Sequence, residues 1–357
     1  MQTAFTLIRT FSRRRSSRIL FRCLPVATLV FRVLSCAGQE AAPPAQEPLR
    51  SATELVKIET TVLDRHGDFV GGMPRSSFRV VDNGVEQPIV FFAPVEAPAQ
   101  VLVMLETSPA VYLIHDQHLA AAYALTEGLA PGDQVALATY EEAPQPELSF
   151  TSNKSALLAA LGQVQYTIGM ANLNFYDSLS TVLDWLAGIP GKRALVLLTT
   201  GLDSSPPGHW DALARKLRSK DVVIFSVALG GDLREEPARN PKRKKSASAV
   251  DTHEMQAAED ATAAEFAKAD EALRSLAAIT GGRAYFPQSQ KDFPLIYHEI
   301  ASALRHEYVL GIAPAHDNQF HTLAVEVLGG SSQPDPAQKK PSEYRVFARA
   351  GYLAPGP

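Results

Sequence analysis

The residues whose types could do chemistry are gathered at Glu106-Thr107-Ser108. They end an apolar run, Gln100-Val-Leu-Val-Met-Leu-Glu-Thr-Ser-Pro109, in one carboxylate and two hydroxyls. Such a group can hydrogen-bond a partner's polar surface, and its carboxylate can act as a general base. No Gly-x-Ser-x-Gly elbow and no phosphate-binding glycine loop accompanies it, so a hydrolase nucleophile or a nucleotide site lacks its usual frame.

The apolar run itself says what must position these groups. A stretch without polar alternation suits a strand buried on both faces of a parallel sheet. In open α/β sheets the ligand crevice lies outside the carboxyl ends of the strands, where Glu106 would stand. The surrounding chain supports such a sheet. Residues 99–312 alternate strand patterns (101–105, 134–140, 192–199, 221–228, 283–286) with helical ones (115–128, up to Leu161 from an Asn153 cap, 175–186, 210–219, 265–279, 291–304). Strands spaced by helices imply right-handed βαβ crossovers onto one sheet. Gly281-Gly282 stops the fifth of these helices. Tyr123, Phe175 and Trp185 fall on helical spacing and read as core. Between Gly230 and Ala264 the pattern lapses, and the stretch reads as a solvated insertion or, through Pro241-Lys-Arg-Lys-Lys245, as a basic patch.

The two ends of the globular part read differently. Leu55–Leu63 alternates like a half-buried strand, and Ser77–Val81 and Gln87–Phe92 flank Asp82-Asn-Gly84. Asn-Gly accepts the positive φ angles of a tight hairpin turn. A segment of about 45 residues cannot bury a core alone. Three strand patterns near the other end, at 307–312, 321–327 and 344–348, are the expected partners.

The first 37 residues carry seven arginines, an apolar stretch and small residues around Ala37, the makings of an export signal. Val33-Leu-Ser-Cys36 resembles a lipoprotein box with Cys36 as the lipidated residue, and simple cleavage near Ala37 is the alternative. Either anchor or release leaves a Pro/Ala-rich tether, 38–52. Both cysteines of the chain, Cys23 and Cys36, fall inside the signal, so the exported part would rely on its core rather than on disulfides. Loss of seven arginines and no acid lowers the formal net charge from −4 by seven, to −11. That balance excludes nucleic acid as the expected partner.

Other motifs carry less. His253-Glu-Met-Gln-Ala257 has alanine where a zinc-protease motif needs its second histidine. His298 and His306 read as surface histidines rather than a metal pair. Asp177 reads as a first-turn charge favourable to the helix dipole.

Taken together, the residues resemble a known family. Val62-Leu-Asp-Arg-His-Gly67, Phe78-Arg-Val-Val-Asp-Asn-Gly84, Leu105-Glu-Thr-Ser108, Pro131-Gly-Asp-Gln-Val135, Phe175-Tyr-Asp-Ser-Leu179, Leu198-Thr-Thr-Gly-Leu-Asp203, Thr280-Gly-Gly-Arg283, Tyr308-Val-Leu-Gly311 and Arg349-Ala-Gly-Tyr352 resemble, in order, the von Willebrand factor type A proteins widespread in Acidobacteria. The resemblance implies a Rossmann-like α/β domain with a mostly parallel sheet, spanning 98–306 with an insertion at 231–264. Beside it would sit a small β-sandwich-like module built from residues 53–97 and 307–357.

It also implies a metal-ion-dependent adhesion site, in which Mg²⁺ takes hard oxygens in near-octahedral array. The family's first-strand motif is Asp-x-Ser-x-Ser. Here its positions hold Glu106, Ser108 and Ala110; the loop threonine falls near Leu173, flanked by Asn172 and Asn174; the later aspartate is Thr200. Asp203 survives from the family pattern, and a loop or helix cap is its simplest role. The expectation is an exported, non-enzymatic protein that binds another protein without a cofactor. Its contact face would be Glu106, Thr107, Ser108, Asn172, Asn174, Thr200 and Asp203. Three other readings stay open: an Mg²⁺ site kept by Glu106, Ser108 and Thr200, an envelope hydrolase with Glu106 or Asp203 as base, and a structural remnant without function.

Overall fold

Alternate side chains of one central strand build both halves of the main core. The computed structural model describes residues 54–356 except 113–114, 169–171, 207, 232–248, 328–329 and 332–342. The export signal with Cys36, the tether up to residue 52 and the basic run 241–245 therefore lie outside the described residues.

The central strand is β5 (Ala99–Glu106). It lies between β6 (Gln134–Tyr140) and β8 (Lys192–Thr199), both parallel to it. β9 (Val223–Ala228) and β10 (Arg283–Tyr285) continue the parallel set. Val101, Val103 and Leu105 pack under α2 (His115–Gly128), α3 (Lys154–Leu161) and α7 (Phe293–Arg305). Leu102 and Met104 pack under α4 (Phe175–Ala187), α5 (His209–Arg218) and α6 (Ala249–Thr280). Period-2 geometry sends neighbours to opposite faces, which is why this strand is apolar throughout. A one-turn helix, α1 (Pro109–Tyr112), follows β5. Asn153 caps α3 as expected, its side chain accepting from the Ser155 and Ala156 N–H groups.

Several expectations are corrected. Residues 144–151 form β7 (Pro144–Thr151), an antiparallel edge strand against β6. Its two prolines hid it, yet an edge is where prolines are tolerated. The insertion expected at 231–264 is helical from residue 249, because α6 runs for 32 residues. Alanine, glutamate and glutamine favour helix without an apolar stripe, so periodicity alone missed it. Tyr123 and Trp185 are 43% and 38% exposed, not core, whereas Phe175 is fully buried.

The two ends of the chain do fold together. β1 (Val56–Leu63) pairs antiparallel with β11 (His306–Ile312) and β14 (Arg345–Ala348), and β4 (Phe91–Glu96) closes that sheet on β11. The opposing sheet is β2 (Phe78–Asp82), β3 (Val85–Gln87), β12 (Phe320–Val327) and β13 (Gly330–Ser331), with β15 (Gly351–Leu353) on β12. Asn83 (φ 47°) and Gly84 (φ 82°) make the β2–β3 turn. The single closing strand expected at 87–92 is instead two elements either side of Pro88, one in each sheet. Ile58, Val80, Tyr308, Leu310, Leu323 and Val325 fill the space between the sheets.

A polar cluster ties the far end of this sandwich. His321 Nδ1 lies 2.7 Å from Asp82 Oδ1 and its Nε2 3.0 Å from Asp317 Oδ2, while the Tyr352 hydroxyl donates to Asp82 at 3.0 Å. The hydrogen bonds that the ring donates to Asp317 and then Asp82 hold the imidazole above its ordinary 6.5. A raised native value means the stabilisation is complete below pH 6.5 and is lost as pH climbs through the raised value. Thermal midpoints should therefore fall as pH rises above 6.5, and His321→Gln should flatten that part of the profile.

Candidate functional site

Three strand ends meet at the carboxyl edge of the sheet. Register pairs Glu106 with Tyr140 and Leu105 with Leu198, so the next residues of β8, Thr199 and Thr200, stand beside Glu106. The Glu106 side chain turns inward and has no exposed surface. Its Oε1 accepts from Ser108 Oγ at 2.5 Å and Thr200 Oγ1 at 2.9 Å. Its Oε2 accepts from the Thr200 N–H at 2.6 Å, Thr199 Oγ1 at 2.9 Å and the Tyr140 hydroxyl at 3.2 Å. The Tyr140 and Thr199 hydroxyls are themselves 2.6 Å apart. Burial, with the Glu106 charge next, pushes the Tyr140 phenol well up, so it stays a hydrogen-bond donor.

This geometry separates the expected site residues into two groups. Glu106, Thr107, Ser108 and Thr200 are brought together, but all four are buried. They cannot form a contact surface, which corrects their place on the binding face: the extra methylene of glutamate carries the carboxylate across to β8 and under the surface. Thr107 is held by Tyr140, whose carbonyl accepts from both its N–H and its hydroxyl. Asn172 is exposed and Asn174 half-buried. Asn174 donates from Nδ2 to the Glu142 carbonyl at 3.0 Å.

Asp203 is a cap. It accepts from the Tyr176 N–H in the first turn of α4 at 3.2 Å, and from the Ser205 N–H and hydroxyl at 3.0 and 2.8 Å. A cavity of about 510 Å³ opens beside it, between Tyr176, Trp210 and Ala272. Both Asp203 oxygens accept from these donors, and Glu106 is sealed from solvent. Asp177 lies in the first turn of α4, paired with His209 at 2.7 Å. His298 pairs with Asp68 and His306 stacks on Phe69, so these histidines act separately.

The sequence reading missed Ile168. It is 77% exposed, next to Thr167, whose N–H donates to the Thr107 carbonyl at 2.9 Å. Its signal was available: an isoleucine between a threonine and a glycine, in a loop rather than on a periodic face. Ile168 and Asn172 are both exposed.

Comparison with known proteins adds the family. The model of the von Willebrand factor type A domain matches residues 116–298, more than half of the 357. The match begins beyond β5, so Glu106 and Ser108 fall outside it while Thr200 and Asp203 fall inside. No curated protein matches the chain. Among solved structures, a von Willebrand factor type A protein from Catenulispora acidiphila is 11% identical, with a TM-score of 0.43, covering 79% of this chain and 72% of its own. Proximal thread matrix protein 1 from the mussel byssus is 12% identical, at 0.43, covering 61% and 49%. The type V pili tip protein Mfa5 from Porphyromonas gingivalis is 10% identical, at 0.40, covering 58% and 95%.

Proposed function

Because the chain belongs to the von Willebrand factor type A domain family, we propose that it is an exported, non-enzymatic binding protein whose adhesion face works without a metal. Domains of this family are generally interaction modules, and no helix among the described residues is long and apolar enough to cross a membrane. Export rests on the arginine-rich leader with Cys36 or Ala37 at its end, and the partner is another protein.

The observation that carries the metal-free reading is the saturation of Glu106. An Mg²⁺ ion needs ligand oxygens with free lone pairs and short, near-octahedral contacts. Here both Glu106 oxygens already accept from Ser108, Thr199, Thr200 and Tyr140. The Ser108 and Thr200 hydroxyls donate their protons to the same carboxylate. The second carboxylate of the family's pattern is Thr200, and Asp203 is spent on capping. The donor set therefore does not fit the ion. The network fixes the carboxyl end of β5 to that of β8, and the exposed Ile168 and Asn172 meet the partner.

The test is capture from the cell envelope in Mg²⁺ and in EDTA. A partner should be retained equally in both. Ile168→Glu, which places a charge where an apolar anchor is needed, should weaken retention about tenfold or more. Undiminished capture by Ile168→Glu would remove Ile168 from the interface.

A further inference from the structure

The cavity of about 510 Å³ beside Asp203 has aromatic rings and acids in its wall. It opens between the loop after β8, the first turns of α4 and α5, and α6. Gly201 (φ 75°) brings the loop close to α6, where a Cβ would stand 2.9 Å from Leu273 Cδ1. Tyr176 of α4 and Trp210 of α5 have ring centroids 5.5 Å apart and planes at 57°, two sides of a corner. Tyr176 is only 9% exposed. Its N–H donates to Asp203, but its hydroxyl has no partner among the described residues. A phenol so far buried ordinarily finds one. Burial, then the Asp203 and Glu265 carboxylates, push it up to about 12, so the ring stays neutral.

Four charged side chains line the cavity, Asp203, Glu265, Lys268 and Glu271, three negative and one positive. The last three are exposed on α6, and none of the four is in an ion pair among the described residues. The positive ends of α4 and α5 also lie here. The acids of their first turns, Asp177 and Asp211, and the Asp203 cap offset them. The wall is therefore net negative. Its acids do not converge, because among the described residues no group of three His, Cys, Asp or Glu could hold a metal ion. Separated charges around an open space suit a large, diffuse cation rather than a bare ion. Leu202, Ala269 and Ala272 add apolar surface, and the volume is that of a small-ligand site.

We propose that this cavity binds a small organic ammonium ion, its alkylated nitrogen in the corner between Tyr176 and Trp210 and its charge facing the Glu265 and Glu271 carboxylates. The faces of tyrosine and tryptophan attract a cation through the ring quadrupole, most strongly where water is excluded. Glu265 and Glu271 are solvated, so each adds a modest attraction that salt screens. A hydroxyl or carbonyl on the same ligand would satisfy the Tyr176 phenol. The same carboxylates repel an anion, and a neutral molecule gains nothing from them.

Choline is the probe, titrated into the full chain at constant ionic strength. The chain has two tryptophans, and Trp185 is 38% exposed, so Trp185→Phe leaves Trp210 as the sole fluorescent reporter without opening the core. Its emission should change saturably with choline. The neutral isostere 3,3-dimethylbutan-1-ol should bind about tenfold more weakly, and acetate should not bind. Glu265→Gln together with Glu271→Gln should weaken choline binding about fivefold, the scale of exposed charges. Trp210→Leu, followed by calorimetry, should abolish it. Absence of a saturable response to choline, equal binding of the isostere, or undiminished affinity in the double glutamine variant would overturn the proposal. Should Trp210→Leu fail to fold, the comparison of choline with its isostere decides.

Discussion

Glu106→Asp should destabilise the protein by about 2 kcal/mol, although it restores the residue type of the family's first-strand motif. Losing one methylene draws the carboxylate back by about 1.5 Å. The Thr200 N–H, now 2.6 Å from Oε2, would then lie well beyond the roughly 3.2 Å limit of a hydrogen bond. The Thr199 and Thr200 hydroxyls would lose the same acceptor, in a place with no access to water. Glu106→Ala should cost more, about 3–5 kcal/mol, because every donor around the site is orphaned and a cavity is left. Urea denaturation of both variants measures this. An unchanged midpoint in Glu106→Asp would mean that the carboxylate is not held by β8. An unchanged midpoint in Glu106→Ala is what a structural remnant requires.

Arg345→Ala should cost about 3–5 kcal/mol, by leaving a buried carboxylate without its partner. Glu299 of α7 is 3% exposed at its side chain and pairs with Arg345 of β14 through Oε1 and Nη1. Its next cation, Arg283, is 3.9 Å away. Arg345 also donates to the Asp64 carbonyl at 2.9 Å, so one side chain holds α7, β14 and the β1 turn together. Gly67 belongs to the same joint, since a Cβ there would stand 2.6 Å from Glu299 Cγ. Replacing both partners by apolar residues of similar size, Glu299→Leu with Arg345→Met, should recover most of the loss. A loss in the double variant as large as in Arg345→Ala would show that the charge is not what matters there.

The layered fold was legible because its signal is local. An apolar run such as 101–105 suits a strand covered on both faces, and Asn83-Gly84 suits a tight turn. Where two local signals compete, the reading failed: Pro144 and Pro146 concealed an edge strand, and the alanine-rich stretch from 249 concealed the first half of α6. The candidate site was legible in residue type and in its place at the strand ends. The direction of Glu106 was not, because one methylene decides between facing solvent and reaching Thr200, and that choice depends on β8 lying alongside. Ile168 lacked periodicity to mark it, and Tyr123 and Trp185 had periodicity that misled. The buried Lys192–Glu307 pair, 2.5 Å long, was out of reach for a different reason. It ties β8 to β11, a strand whose place is set by its distant pairing with β1.

The most direct measurement is a thermal melt of the protein in excess Mg²⁺ or Mn²⁺ against EDTA. An ion at 100 times its dissociation constant would stabilise the native state by about 2.7 kcal/mol, moving the midpoint by several degrees. A saturated Glu106 network leaves no such ligand set, so the expected result is the same midpoint in all three conditions. A rise of that size with either ion, absent in Glu106→Ala, would show that the adhesion site still holds a metal and would contradict the metal-free reading.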